Sequence, residues 1–264
     1  MTPELPTPSI TWLGHSTVVL DIGGARLITD PLLRKHNWPL RRRGGRPATA
    51  SWSQPDLVLL SHLHHDHAEL PSLRLLRDVP VLTAAENAVW LRRKGLNGLD
   101  AEGKWYDLPG TDVRVRLVRA DHGHRPMPHR PNSAGGHLVQ KPGFTVYVAG
   151  DTSLYGEMSD LPPAGRGSHR RGDRPHRWLG PPSFGWAHGR RTSGPRVCLI
   201  GARAAIPVHW GTLHAPVVGR FPEVDGLGRP ALPAGVESAC PRLPGLGSCS
   251  RRNCQRPLTA HLRE

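Results

Sequence analysis

A mixed α/β fold is predicted by three features of the sequence. Short strand-like segments open the chain, helix-like segments follow from residue 70, and the two kinds alternate to about residue 160. Residues 10–13, 17–22 and 25–29 are rich in Ile, Val, Leu and Thr. Gly14 and the Gly23-Gly24 pair separate them, which is the spacing of a β-meander. Residues 56–61 (DLVLLS) form an apolar run between Pro55 and a histidine cluster, as expected of a strand buried on both faces. Residues 70–77 and 84–96 carry helical spacing, and 80–83 (PVLT) is a short strand between them. Residues 113–119 alternate and 144–149 are apolar, so both are strands. Residues 197–210 (VCLIGARAAIPVHW) predict the end of a helix leading into a further strand.

With 264 residues the chain can bury a sizeable core without disulfides. Its 30 glycines and 28 prolines, against three Phe and three Tyr, imply that part of it is irregular. That part is 162–195, which holds 13 Gly or Pro residues. The formal charge of +14 has the same origin: residues 166–196 carry eight arginines against the single Asp173. Eight arginines with so little apolar surface predict that 166–196 is irregular, exposed and outside the core. Arginine excess is the only feature favouring a nucleic-acid-binding protein, and it sits in one segment, so no nucleic-acid partner is expected. Cys198, Cys240, Cys249 and Cys254 form no C-x-x-C pair. The N-terminus lacks a basic and an apolar leader region, and no run approaches the ~18 apolar residues of a membrane span. The expectation is a soluble protein of a reducing, cytoplasmic compartment.

The chemistry starts directly after the apolar run 56–61. The segment SHLHHDH supplies His62, His64, Asp66 and His67 as H-x-H-x-D-H. Alternating His62 and His64 can converge on one ion while Asp66 and His67 project toward a second. Imidazole and carboxylate together suit zinc, manganese and iron.

Four segments in this order, ITWLGHST with Asp30-Pro31, DLVLLSHLHHDHAELPSL, VAGDTSLYGEM and IPVHWGTLH, make the chain resemble the metallo-β-lactamase superfamily. Within it, the similarity is to the branch of L-ascorbate-6-phosphate lactonase and N-acyl-phosphatidylethanolamine phospholipase D. The resemblance covers 10–161 almost continuously and then 197–222. It implies a four-layer αββα sandwich and two divalent metal ions, zinc first, with manganese or iron as alternatives. His62, His64 and His122 would hold the first ion, Asp66, His67 and His209 the second, and Asp151 would bridge them; His124 is the alternative to His122. A hydroxide between the ions, oriented by Asp66, would hydrolyse an ester, lactone, amide or phosphodiester of a small molecule. His15 and Asp30 are expected close under the site, with His15 and Asp66 as the catalytic pair. His214 is a candidate for the substrate pocket. The RRRGGR run at 41–46 lies where relatives carry a loop over the cleft; a solvated arginine loop and a basic lid for an anionic substrate both remain open.

The chain departs from that family in 166–196, where relatives carry a Pro-Ile-Gly-Gly-like turn and then a Gly-His-Met-Asp-like segment. Residues 175–181, back-translated with permitted codons and read one base later, give Pro-Ile-Gly-Gly-Trp-Gly; residues 186–190 give Gly-His-Met-Asp and 223–227 give Arg-Trp-Met-Asp. Frameshifts near 165, 196 and 222 are therefore expected, so His188 earns no substrate-facing role from its position. The domain reading is one metallo-β-lactamase-like unit at 1–222 and an irregular tail at 223–264. A catalytically impaired metal binder with a disrupted substrate wall is the competing function.

Overall fold

The computed structural model describes residues 8–37, 40–43, 45–101, 103–123, 129–131, 133–161, 176–180, 202–209 and 212–214. It opens with the meander β1 (Ser9–Gly14), β2 (Thr17–Ile22) and β3 (Ala25–Thr29). Both its hairpins are antiparallel, and the second turns on Gly23 and Gly24 at φ 56° and 79°. Next come a short hairpin of β4 (His36–Asn37) and β5 (Leu40–Arg42), then β6 (Leu57–Leu59), α1 (Leu70–Leu73), β7 (Val81–Thr83), α2 (Ala85–Arg93) and β8 (Gly98–Asp100). Strands β3, β6, β7 and β8 are parallel, which completes a six-stranded sheet in the order β1-β2-β3-β6-β7-β8.

A second six-stranded sheet contains β9 (Trp105–Asp107), β10 (Arg114–Arg119), β11 (Gly135–Lys141), β12 (Phe144–Val148), β13 (His176–Gly180) and β14 (Ala202–Pro207). The first four are antiparallel, and β12, β13 and β14 are parallel. β15 (Leu213–His214) joins β5 and β4 in a small third sheet.

Period-2 alternation assigns each face. Val18, Leu20, Ile22, Leu27, Leu57, Leu59 and Leu82 meet Val115, Val139, Val146 and Val148 between the two large sheets. The intervening residues Val19, Ile28, Val58 and Val81 turn outward onto Leu73, Leu76, Trp90 and Leu91 of the helical side. On the far face of the second sheet, Leu138 and Tyr147 pack on Tyr155 and Met158, the latter in a 3₁₀ turn at Gly156–Asp160. Layers of helix, sheet, sheet and a 3₁₀ cover make this the αββα sandwich that the family resemblance implies.

Of the elements that differ from expectation, three are instructive. The helix at 70–77 splits into α1 and a 3₁₀ turn at Arg74–Leu76. β11 was not anticipated, and it contains the pair Gly135-Gly136. In the sheet they are required: a Cβ on Gly136 would lie 2.9 Å from the Tyr147 ring and 3.0 Å from the Val148 carbonyl. The third is a correction to the irregular segment 166–196. Its residues His176–Gly180 form β13, paired on both sides between β12 and β14. Ladder hydrogen bonds come from the backbone, and with no proline inside these five residues they can close an edge that β12 would otherwise leave open. The rest of 166–196 and the tail 223–264 lie outside the described residues, as do His124, His188 and the four cysteines. Among the described residues no helix is long and apolar enough to cross a membrane.

His137 gives the core an acid-sensitive group. His137 of β11 is fully buried, with Nε2 3.1 Å from the Leu82 carbonyl, and burial pushes its pKa down to about 4. Above the unfolded value of about 6.5 the imidazole is neutral in both states and makes no difference. As pH falls from there toward 4, the unfolded chain takes up a proton that the folded one refuses, so stability drops by about 3 kcal/mol and then levels. Urea unfolding between pH 7 and pH 4 measures the slope, and His137→Gln, which can still donate to Leu82, is expected to flatten it. Equal slopes in the two proteins would contradict this account.

Candidate metal centre

The site lies where the first sheet hands its strands over to loops. Asp30, the residue after β3, bends back at φ 33°, and its amide bonds the Leu59 carbonyl at 3.0 Å. This turns its carboxylate under the loop that follows β6. There it accepts hydrogen bonds from the Ser61 amide (2.7 Å), the Ser61 hydroxyl (2.7 Å) and His67 Nδ1 (2.8 Å).

These bonds decide the tautomers. His67 gives its Nδ1 proton to Asp30, so Nε2 is free to face the cavity. Ser61 spends its proton on Asp30 and accepts from His62 Nδ1 at 2.9 Å, so His62 also presents Nε2.

Two clusters result. His62 Nε2 lies 2.9 Å from His64 Nδ1, and His122 Nε2 lies 3.1 Å from the same atom. In the other, Asp66 Oδ2 is 3.3 Å from His209 Nε2 and 3.8 Å from His67 Nε2, while Asp151 Oδ2 is 3.3 Å from His67 Nε2 and 3.4 Å from His209 Nε2. Asp151 Oδ2 also lies 3.9 Å from His122 Nε2, so one carboxylate stands between the clusters. Ligands about 2.0–2.1 Å from a tetrahedral ion are about 3.3 Å from one another, close to these separations. His67 Nε2 and Asp151 Oδ1 are buried and make no hydrogen bond, an arrangement that disfavours the folded state unless a cation takes their lone pairs. By donor type, spacing and unsatisfied atoms, the residues fit a divalent metal centre.

For His15, His62 and His64 the electrostatics agree with the geometry. Burial pushes His15 and His64 down to about 4 and His62 well below its ordinary value, with neighbouring imidazoles adding to the effect, so these rings stand neutral and able to ligate. Burial alone would raise Asp66 and Asp151, but His67 and the other imidazoles hold both below the usual carboxylate range. His67 moves the other way: burial opposes its charge, yet the carboxylates of Asp151, Asp66 and Asp30 raise it.

All seven sequence-predicted ligands, His62, His64, Asp66, His67, His122, Asp151 and His209, come together here. His15 joins them. Its Nε2 is 3.0 Å from Asp66 Oδ2 and its ring centroid 4.0 Å from that of His209. His15 sits at φ 54°, a left-handed conformation that costs energy outside glycine. Its carbonyl accepts from the His209 amide and the Trp12 indole, both at 2.8 Å, and its amide bonds Thr212 Oγ1 at 2.6 Å. His214 stands apart from these clusters. It is half-buried in β15, opposite Arg41 in the register with β5.

The arginine run needs a partial correction. Arg41 and Arg43 are exposed, but Arg42 is buried and bonds the carbonyls of Leu32 (2.9 Å), Gly45 (3.0 Å) and Leu13. The middle of the run is thus a bolt rather than a solvated loop. The strand tip at Gly14 leaves room for it, since a Cβ there would lie 2.6 Å from Arg42 Nη2.

Sequence reasoning also missed Ser61, Thr212 and Thr152. The last accepts the Asp121 amide at 2.9 Å and so ties the His122 segment to the one bearing Asp151. Each is an ordinary hydroxyl whose only signal is its place beside a ligand.

The family model described as a β-lactamase superfamily domain matches residues 9–161. The chain belongs to the β-lactamase superfamily. Among curated relatives, it is 28% identical over 232 residues to a UPF0173 metal-dependent hydrolase of Methylobacterium nodulans, covering 83% of this chain and 93% of that one. The corresponding figures for the relative in Pyrobaculum aerophilum are 25% over 227 residues, 81% and 88%. The match to the relative in Methylacidiphilum infernorum, 29% identical over 151 residues, spans 56% of this chain and 64% of that one. Igni18, a metallo hydrolase of Ignicoccus hospitalis, shares the fold at TM-score 0.60 and 21% identity, covering 78% of this chain and 84% of its own. An isothiocyanate hydrolase from Delia radicum gut bacteria does so at TM-score 0.57 and 16% identity, with 80% and 87% covered.

Proposed function

We propose that this chain is a metal-dependent hydrolase of small molecules, acting in the cytoplasm on an ester, lactone or phosphodiester. The observation that carries this reading is the set of seven His and Asp side chains whose ligand atoms converge in two clusters joined by Asp151. His62, His64 and His122 would hold one ion and Asp66, His67 and His209 the other, zinc being the first choice for this donor set. When bound, the pair of ions supplies Lewis acidity and lowers the pKa of a water shared between them. The chain's own residues do the rest. Asp30 and Ser61 fix the imidazoles in the tautomers that expose lone pairs. Asp66, half-buried and hydrogen-bonded by His15, is the carboxylate placed to orient a water beside a bound substrate. Metal analysis tests the reading: the purified protein is expected to hold about two divalent ions per chain, and His62→Ala and Asp151→Ala to lower that number. Full occupancy surviving both substitutions would overturn it.

A further inference from the structure

The loop that carries four of the ligands has too few internal hydrogen bonds to hold its own shape. Between β6 and α1 its backbone contributes two turn bonds, from the amides of His67 and Ala68 to the His64 carbonyl at 3.1 and 2.8 Å. The carbonyls of Leu63 and Ala68 find no partner within the turn, and both residues are buried. A buried carbonyl left without a donor opposes the folded state. Here a single atom serves both: Arg130 Nη1 donates to Leu63 at 2.7 Å and to Ala68 at 3.1 Å. Leu63 lies between His62 and His64, and Ala68 directly follows His67, so this nitrogen grips the loop at both ends of the turn that presents His64, Asp66 and His67.

Arg130 is itself held in place. Its guanidinium carbon stands 5.0 Å over the ring of Trp90 in α2, and the Trp90 indole donates to the His129 carbonyl at 2.8 Å. The planar guanidinium can stack on that ring and still aim an N–H edge at two carbonyls, which an ammonium cannot do. His122 and Arg130 both lie in the connection between β10 and β11. The same connection therefore provides a ligand and the clamp on the loop bearing the others.

We infer that Arg130 is a positioning residue that sets the geometry of the metal loop before any ion binds. The inference rests on the two-metal reading for its functional consequence, while its structural half stands alone. Groups that orient ligands without touching the ion are each worth about 10–100-fold in affinity, and Arg130 is expected to fall in that range.

Cobalt(II) is a suitable probe, because its visible spectrum reports ligand geometry. Arg130→Met, which keeps the stem and removes the donors, is expected to weaken cobalt binding about 10–100-fold at unchanged stoichiometry and to alter the spectrum. Arg130→Lys, which can reach one carbonyl, is expected to recover part of the loss, and it serves alone if the methionine variant does not fold. In the metal-free proteins, amide exchange at His67 and Ala68 is expected to quicken at least about tenfold in the variants, with the β2 and β12 amides unchanged. Parent-like affinity and spectrum in both variants would overturn the inference. So would exchange that rises uniformly through the sheets, which marks a purely global loss of stability. If the parent bound no cobalt while the local exchange contrast held, the two-metal reading would fail and Arg130's hold on the loop would stand.

Discussion

Replacing Asp30 by alanine is expected to destabilise the metal-free protein by about 3–5 kcal/mol, the range for removing one partner of a buried ion pair. Asp30 is 2% exposed, and its two oxygens accept three hydrogen bonds from Ser61 and His67. Alanine leaves the Ser61 amide, the Ser61 hydroxyl and His67 Nδ1 without an acceptor in an interior that water does not reach. It also releases the tautomers: with no carboxylate to receive its Nδ1 proton, His67 can carry that proton on Nε2 instead, where an ion must bind. Urea unfolding of the metal-free protein measures the first effect. Metal titration measures the second, with a loss of about 10–100-fold expected. Asp30→Asn separates them, because the amide keeps the volume and one acceptor but cannot satisfy all three donors. A stability change below about 1 kcal/mol in Asp30→Ala would mean that the surrounding groups find other partners, and that the carboxylate is not the keystone its hydrogen bonds describe.

The parts of the fold that were legible in the sequence are those whose signal is local. The strands at 17–22 and 25–29 are rich in apolar and β-branched residues and are bounded by a glycine pair, and they fold with those same limits. The metal loop was legible because histidine and aspartate at alternate positions have few uses other than ligation. What escaped notice depends on partners distant in sequence. β5 becomes a strand by pairing with β15, and Arg42 is drawn inside by the carbonyls of Leu13 and Leu32. Nothing within RRRGGR distinguishes that arginine from its exposed neighbours. β11 escaped as well, and it carries glycines that the close approach of Tyr147 demands. β13 was hidden by a composition that predicts no core, although a strand paired on both sides needs a continuous backbone more than it needs apolar side chains.

The same distinction between what a residue is and what it touches separates Asp66 from its neighbour His65. Both belong to the HLHHDH turn, but His65 is exposed whereas Asp66 Oδ2 meets His15 at 3.0 Å and His209 at 3.3 Å. Under the hydrolase reading, Asp66→Ala removes a charge facing the second cluster together with the carboxylate, hydrogen-bonded by His15, that would orient the attacking water. Misplacing a reacting group by about 1 Å can cost about 10²-fold in rate, so kcat/KM is expected to fall at least that far, corresponding to about 3 kcal/mol of transition-state stabilisation. His65→Ala is expected to stay within about twofold of the parent, since a lone exposed side chain is seldom worth more. Aryl esters, a lactone and bis(p-nitrophenyl) phosphate are the substrates to compare, because each leaving group tests one bond class. Asp66→Glu is informative as well: it restores charge but moves the oxygen, so recovery of metal content without recovery of rate would locate the effect in the positioning of water rather than in ligation. If Asp66→Ala kept more than about a tenth of the parent rate on a substrate the parent turns over, the carboxylate would be a structural partner of His15, and the group that orients the water would have to be sought elsewhere in the cluster.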